Sequence, residues 1–425
     1  MAHDFAYMEG YELQPKKKCG LKSAVKNLIK RTIPNECIFN NWKITLCQMS
    51  SSTTSWNNSN NIMKENVAIN VEENIKKARR SAYGLFGGGF HGHNGLDPET
   101  LVHLFKTYIS PVLLYGMEIL LPKTAMLLQL EKFQKRFLKQ LLSLQISTPD
   151  PAVYILSGIL PVEAQIDKRA LGLFNNICNQ DESSTEKQLA RRQISVKSLV
   201  SNRWFIQLKK ILTKYNMDEI NTYLDIPTKK EKWITLINRI IQKHWSDSIT
   251  RMVPYYKGLQ HLNYTEFHQG KLHSLLKIKC QSARDIGRIP PKLKMLTGTY
   301  ILQSHRIKMY ENETDPICLI CHQGDETLEH VILECDGLSD TRNSIMDEVS
   351  AILKDSRNVD FHKQTSKVKM QILLEITMLR ENLKLDTKLM AEIEYCSRRL
   401  LFLLHTTRYS FLSRGWKKDK KNVKV

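Results

Sequence analysis

Apolar residues recur at helical spacing through the first third of the chain. Between Met63 and Phe86 they fall at steps of three and four residues: Val71, Ile75, Ala78, Ala82 and Leu85. This spacing places them on one face of an amphipathic helix. The glycine-rich segment 87–92 follows directly and favours a helix end. We therefore predict a helix from Met63 to Phe86.

A second helix is predicted to begin at Asp97-Pro98-Glu99. An acceptor side chain at the N-cap, a proline at the first helical position and an acid in the first turn are typical of a helix start. Pro111 should kink this helix, because proline offers no N–H to the preceding turn. Its predicted apolar stripe comprises Leu101, Leu104, Phe105 and Tyr108.

The rest of the chain also favours helices, which makes the predicted fold class mainly α. A third helix at 125–144 has the apolar face Leu130, Phe133, Phe137 and Leu141. Short connections between these three helices predict a packed helical domain over 63–180. Further helices are expected over 181–260, and two amphipathic helices over 367–412. The expected core anchors of the middle region are Trp204, Trp233 and Trp245.

The charge of the chain indicates the class of partner that it binds. The chain of 425 residues has a formal net charge of +20, which points to a polyanion or an acidic membrane face. The excess is uneven: 187–243 carries +9, 271–308 carries +8, 309–360 carries −10 and 361–425 carries +9. An acidic segment thus lies between basic ones.

Composition excludes several classes of protein. An apolar content of 42% excludes wholesale disorder, and nine cysteines are too sparse for a disulfide-stapled secreted scaffold. The first thirty residues contain no apolar signal-peptide core, and the most apolar stretch, 109–122, is too short to span a bilayer. We therefore expect an intracellular chain with reduced thiols, in the nucleus or cytoplasm, and no membrane partner.

One group of cysteine and histidine residues has the spacing of a metal site. Cys318, Cys321, His330 and Cys335 follow the spacing C-x2-C-x8-H-x4-C. Zinc binds four such ligands in a tetrahedron, and a C-x2-C turn is a natural chelate. Gly324 lies where the chain must reverse, the segment 326–333 predicts a short helix presenting His330, and Cys335 should follow its end.

The set of four leaves no open coordination position, so the predicted site is a structural Zn²⁺ site. His322 is an alternative to His330 as the fourth ligand. The other alternative is that these are ordinary cysteines and a surface histidine. A segment with a net charge of −10 is a poor phosphate clamp. We therefore interpret it as organising the basic segments on either side of it.

Other motif matches do not predict a site. Gly87, Gly89 and Gly92 fit G-x-G-x-x-G, but a basic helix precedes them instead of the strand that a dinucleotide site needs. His91 and His93 are more often solvated than metal-bound in such a loop. No Asp-Asp pair occurs anywhere in the chain, and two-metal nucleotidyl transfer needs clustered carboxylates. No catalytic residue is predicted.

Basic side chains in these helices are candidate nucleic-acid ligands. A charged outer helix face is often only solvated, and that alternative stays open for the helix at 125–144. The aromatics Trp204, Trp233, Tyr255 and Tyr256 are interleaved with the basic residues of 187–308, which favours contact with RNA or DNA. The candidate phosphate ligands are Lys76, Lys77, Arg79, Arg80, Lys132, Lys135, Arg136, Lys139, Lys277, Lys279, Arg284, Arg288, Lys292, Lys294, Lys417 and Lys418.

Three stretches together resemble a known family. They are Glu73-Asn-Ile-Lys-Lys-Ala-Arg-Arg-Ser-Ala-Tyr-Gly-Leu85, Lys106-Thr-Tyr-Ile-Ser-Pro-Val-Leu-Leu-Tyr-Gly-Met-Glu118, and the Cys/His spacing with Glu-Thr-Leu-Glu-His inside it. They resemble the C-terminal half of reverse transcriptases of jockey-like non-LTR retrotransposons. The opening Asp4-Phe-Ala-Tyr-Met-Glu-Gly-Tyr-Glu-Leu-Gln-Pro-Lys-Lys-Lys18 resembles the palm segment that follows the family's catalytic Asp-Asp hairpin, with Lys17 at the position of a lysine that assists pyrophosphate departure.

The resemblance implies a division of the chain. Residues 1–62 would be a poorly ordered palm remnant, 63–180 a helical thumb-like domain, and 181–308 a basic helical linker domain. Residues 309–360 would be a CCHC zinc-knuckle module, and 361–425 would be C-terminal helices with a basic tail. In the family such parts grip an RNA or RNA/DNA duplex through its phosphates.

The departures from the family decide the expected activity. The fingers, the palm strands with the metal-binding aspartates and the endonuclease of that clade would lie upstream of Met1. We expect a truncated reverse transcriptase with no enzymatic activity of its own. The alternatives are a host-retained zinc-binding protein-interaction module and a decaying reading frame with no role. The knuckle has eight residues before its histidine where the retroviral type has four, so single-strand binding does not carry over.

Overall fold

The computed structural model describes residues 56–89, 96–280, 282–309 and 315–422. Within these ranges the fold is mainly α, as predicted, and they contain no strand beyond one isolated antiparallel bridge between Ile317 and Asp325. Residues Val67–Val425 form one compact unit. The predictions for residues 1–55, including Lys17, and for His91 and His93 lie outside the described residues. The predicted domain boundaries at 180, 308 and 360 stay predictions.

The first part of the fold is built from five helices. They are α1 Trp56–Gly87, α2 Pro98–Leu104, α3 Ser110–Leu113, α4 Met117–Leu120 and α5 Thr124–Leu141. The predicted apolar face of α1 is confirmed, since Val71, Ala78 and Ala82 are buried and Ile75 and Leu85 pack against the core. Phe137 of α5 packs between the first two parts of this region: its ring centroid lies 5.3 Å from that of Phe86 and 5.9 Å from that of Phe105.

Helix α2 begins as predicted and ends differently. The Asp97 carboxylate accepts a hydrogen bond from the N–H of Thr100 at 2.9 Å, which is the expected N-cap. A π-helical turn, Phe105–Ile109, then precedes Pro111, and the N–H of Ser110 donates to the carbonyl of Phe105. The extra residue of this turn moves Ile109 into the core and leaves Tyr108 exposed. The prediction of Tyr108 in the apolar stripe was wrong for this reason.

Six helices form the middle of the unit. They are α6 Asp150–Ser157, α7 Val162–Cys178, α8 Thr185–Val196, α9 Trp204–Lys214, α10 Ile220–Asp225 and α11 Lys230–Met252. Helix α7 packs on α11, and Trp233 of α11 is buried with its indole N–H donating to the carbonyl of Leu171 at 2.9 Å. Trp204 and Trp245 are partly buried against the same core, so all three predicted anchors contribute to it.

The last third of the chain contains the loop with Cys318, Cys321, His330 and Cys335, called the metal loop below. It also contains the longest helix among the described residues. Its helices are α12 Ser274–Lys277, α13 Ala283–Ile286, α14 Ile289–Leu296, α15 Gln303–Met309, α16 Ser339–Arg357, α17 Ser366–Leu374 and α18 Thr387–Asn422. Helix α18 packs along α16 and also contacts α14 and α17. Because α14 precedes the metal loop and α17 follows it, α18 connects the basic segment before the loop to the segment after it. In the described part of the chain no helix is both long and apolar enough to cross a membrane.

Candidate metal centre and basic surface

Two of the predicted ligands lie in a tight turn stabilised by backbone hydrogen bonds. The N–H of Cys318 donates to the carbonyl of Gly324 at 2.8 Å, and the N–H of His322 donates to the carbonyl of Cys318 at 2.9 Å. The bridge between Ile317 and Asp325 closes the base of this loop. The chain therefore reverses at Gly324 as the sequence predicted, and it directs Cys318 and Cys321 toward one point.

The other two ligands are presented by a π-helical turn, His330–Glu334. The N–H of Cys335 donates to the carbonyl of His330 at 2.7 Å, which closes the turn across five residues. On an ideal α-helix, residues five apart point about 140° from each other. A turn closed five residues apart brings them nearly onto one face instead. The π turn thus explains how His330 and Cys335 can serve one centre.

The four side chains converge closely enough to share one metal ion. One ligand atom from each lies within 4.8 Å of all the others. The sulfur atoms of Cys318 and Cys335 are 3.8 Å apart, and Sγ of Cys321 is 3.3 Å from Nε2 of His330. Zn–S bonds of about 2.3 Å in a tetrahedron require S···S edges of about 3.8 Å. The cluster could therefore hold a metal ion.

Without a cation the cysteines of the cluster are protonated. Burial raises the pKa of the Cys318 thiol, and burial together with the neighbouring Cys318 raises the pKa of Cys335 to about 12. Thiolates are the metal-binding form, so a metal ion would have to displace these protons when it binds. Nδ1 of His330 lies 3.7 Å from a carboxylate oxygen of the exposed Glu334, which is beyond hydrogen-bond distance.

His322, the alternative ligand, is not part of this arrangement. Its side chain is exposed, and its backbone adopts a left-handed conformation with φ +58°. The cluster that could hold a metal contains His330 and not His322. The left-handed backbone belongs to the turn, which directs Cys318 and Cys321 inward and His322 outward.

Most of the predicted phosphate ligands on α1 and α5 lie at the surface. Lys77, Arg79, Arg80 and Lys132 are exposed and have no ion pair with a described residue, and Arg136 is exposed as well. Lys76 is paired within its own helix to Glu73 at 3.2 Å. Near α12, Lys277, Lys279 and Arg284 are exposed, while Lys294 is half-buried. The side chains of Lys417 and Lys418 lie outside the described part of the chain.

Four predicted phosphate ligands have partners inside the protein, and this corrects the sequence interpretation. Lys135 and Lys139 reach Asp150 at 2.6 and 3.5 Å, and Lys139 also donates to the carbonyl of Ile146. Arg288 is buried over the ring of Tyr395. Lys292 is buried completely against Glu394. Periodicity cannot reveal such cases, because each partner lies outside the helix of the basic residue, and those of Arg288 and Lys292 lie about 100 residues later in the sequence.

The aromatic residues divide in the same way. Tyr255 is 85% exposed and Tyr256 is 41% exposed, so both could stack on a base. Trp233 is buried and Trp204 donates its indole N–H to the carbonyl of Glu118, so both are structural. One cation that the pattern missed is Lys106, whose Nζ donates to the carbonyl of Gly270 at 2.8 Å. Burial lowers the pKa of Lys106, the charge of Glu99 opposes this shift, and the charge of Lys277 adds to it.

Comparisons with protein-family models, with curated proteins and with solved structures found no match for this chain.

Proposed function

We propose that the chain is a zinc-holding, nucleic-acid-binding relative of the C-terminal half of jockey-like non-LTR retrotransposon reverse transcriptases. The observation that carries this proposal is the convergence of Cys318, Cys321, His330 and Cys335 into a cluster that could hold a metal ion. The motif order in the sequence and the exposed basic side chains on α1 and α5 support it further. The zinc-bound loop has a structural role, and the basic surface binds the phosphates.

The metal is proposed to be Zn²⁺. Three sulfurs and one imidazole nitrogen in a tetrahedron are the ligands that structural zinc sites use. Metal analysis of the purified chain should find about one zinc per molecule. Cys318→Ser should lose it, while Cys178→Ala, which alters a buried cysteine outside the cluster, should retain it. Equal zinc content in both variants would exclude the proposed site.

The proposed ligand of the basic surface is the phosphate backbone of RNA or of an RNA/DNA duplex. Such binding releases counterions, so the affinity should fall steeply as salt rises. Filter binding of a labelled RNA/DNA duplex at two salt concentrations tests this directly. Absent binding, or binding that is insensitive to salt, would contradict the proposal.

Polymerase activity is not proposed for this chain by itself. The sequence contains no Asp-Asp pair that could hold the two metal ions of nucleotidyl transfer. Primer extension with Mg²⁺ and an RNA template should yield no product. Extension above a no-protein control would contradict this part of the proposal.

A second function is favoured by the charge of the zinc-binding segment. Acidic side chains of α16, among them Asp340, Asp347 and Glu348, are exposed, and such a surface suits a basic protein better than a phosphate. Under this alternative the segment is a protein-interaction module. Cys335→Ser would then abolish pulldown of a protein partner while leaving RNA binding unchanged.

A further inference from the structure

The apolar anchoring of α18 ends well before the helix does. Leu400, Leu401 and Leu404 are fully buried, and Leu404 is the last buried apolar side chain among the described residues of this helix. Farther along, Tyr409 and Phe411 are 49% and 42% exposed. Burial of apolar surface therefore holds the helix up to Leu404, and something else must hold the turns that follow.

Those turns are held by a buried ion pair to the metal loop. Nε and Nη2 of Arg408 donate to the two carboxylate oxygens of Glu326 at 2.8 and 2.6 Å. The side chains of Arg408 and Glu326 are 2% and 0% exposed. The guanidinium also lies over the ring of Tyr300 at 5.5 Å. A charge this deeply buried depends on its partner, because an unpaired buried guanidinium is strongly unfavourable.

Glu326 is held both by the base of the loop that carries the metal ligands and by the start of α15. Its N–H donates to the carbonyl of Pro316 at 2.8 Å, directly beside the bridge that closes the loop at Ile317. Its carbonyl accepts from the hydroxyl of Ser304, and its carboxylate accepts from the N–H of Gln303. Glu326 lies between the ligands Cys321 and His330 in the sequence. Ligands on both sides of it would thus fix it once a metal is bound.

We infer that metal binding orders the distal part of α18 through Glu326. With metal bound, the metal loop presents the Glu326 carboxylate to Arg408, and residues 405–413 stay helical on the surface of this loop. Without metal, the loop loses its cross-link, Glu326 moves and Arg408 has no partner for its buried charge. Glu326 is therefore a positioning residue. This inference rests on the proposed zinc binding.

The proximal part of α18 provides an internal reference. Leu389, Ile393 and Leu400 pack in the core, and α16 runs alongside this part of the helix. Another ion pair on the same helix, between Arg399 and Glu348, is partly exposed and therefore contributes less than the buried pair of Arg408 and Glu326. Residues 390–401 should keep their order when the metal leaves.

Hydrogen–deuterium exchange on the full chain tests the inference. Chelation of zinc should lower amide protection in 405–413 by roughly tenfold or more, and leave 390–401 unchanged. Glu326→Gln should reproduce the distal loss with zinc still bound, while the control Glu348→Gln should not. The wild-type comparison with and without chelator needs no variant, so the test stands even if Glu326→Gln fails to fold.

The outcomes separate the two proposals. Complete zinc release with unchanged protection at 405–413 would overturn the coupling and leave zinc binding intact. A chain that never contains zinc would overturn the proposed metal site instead. Equal loss of protection over 390–401 and 405–413 would also overturn the coupling, because it would indicate global unfolding.

Discussion

Nζ of Lys292 lies 2.5 Å from a carboxylate oxygen of Glu394, and neither side chain reaches solvent. The lysine comes from α14 and the glutamate from α18, 102 residues later. Arg398 completes the cluster, with Nε donating to the other oxygen of Glu394 at 3.0 Å and Nη1 donating to Asp285 at 3.3 Å. A lysine that sequence spacing predicted to bind phosphate is thus a structural cation that joins two segments of the fold.

We expect Lys292→Met to lower the free energy of unfolding by about 3 kcal/mol, because it leaves the Glu394 carboxylate buried with one cation fewer. Urea denaturation of wild type and variant gives the difference. The exposed Lys279→Met is the control and should stay within about 0.5 kcal/mol of wild type. If both variants unfolded at the same urea concentration, the burial of Lys292 would not be energetically important.

Removing exposed cations of α1 should weaken nucleic-acid binding without affecting the fold. We expect each lost phosphate contact to reduce the slope of log K against log salt by about 0.7–0.9. The measurement is a salt titration of duplex binding. The proposed variant is Lys77→Ser, Arg79→Ser and Arg80→Ser combined. The control removes the same charge elsewhere, through Lys354→Ser, Lys363→Ser and Lys388→Ser.

Equal slopes for the two triple variants would contradict a local interface on α1. A uniform drop in affinity in both would mean that net charge alone governs binding. A drop confined to the α1 variant would support a phosphate site at that helix.

Sequence reasoning reached the helical class and the four Cys/His residues that converge into one cluster, because both depend on local spacing. Periods of three and four residues located α1, and the Cys/His spacing located Cys318 and Cys335. It could not reveal that Lys292 or Arg408 is buried, since their partners Glu394 and Glu326 lie 102 and 82 residues away. It also misplaced Tyr108, because a π turn adds a residue that an ideal helical period does not include.

Zinc binding should depend on His330 and not on the neighbouring His322. We expect His330→Ala to lose zinc, because it removes one of four converging ligands. His322→Gly should retain zinc and should not destabilise the turn, because glycine adopts its φ of +58° without strain. Metal analysis with thermal unfolding of both variants checks this. Zinc loss in His322→Gly with retention in His330→Ala would reverse the assignment.

Two glycines with similar backbones should respond very differently to alanine. Gly116 and Gly158 have φ of +72° and +64°, but a Cβ at Gly116 would meet nothing within 4 Å, while one at Gly158 would lie 1.9 Å from the carbonyl oxygen of Lys271. The left-handed backbone alone should cost Gly116→Ala about 1 kcal/mol. Gly158→Ala should cost about 2–4 kcal/mol, since the backbone at Lys271 must also move. Equal losses in urea denaturation would show that this close approach is absent in solution.

The fold should lose stability in mild acid because of His405. Its Nδ1 lies 3.1 Å from the hydroxyl of Tyr300, and burial, together with the charges of Lys294 and Arg408, lowers its pKa from 6.5 to about 4. The unfolded chain therefore protonates His405 more readily than the folded chain does, so the stability that His405 contributes is present above pH 6.5 and is lost as the pH falls toward 4.

His405→Gln removes the imidazole that takes up this proton. In urea denaturation between about pH 7 and 4.5, wild type should lose stability relative to His405→Gln, whereas the exposed His103→Gln should run parallel to wild type. A His405→Gln curve that runs parallel to wild type would contradict the lowered pKa of His405.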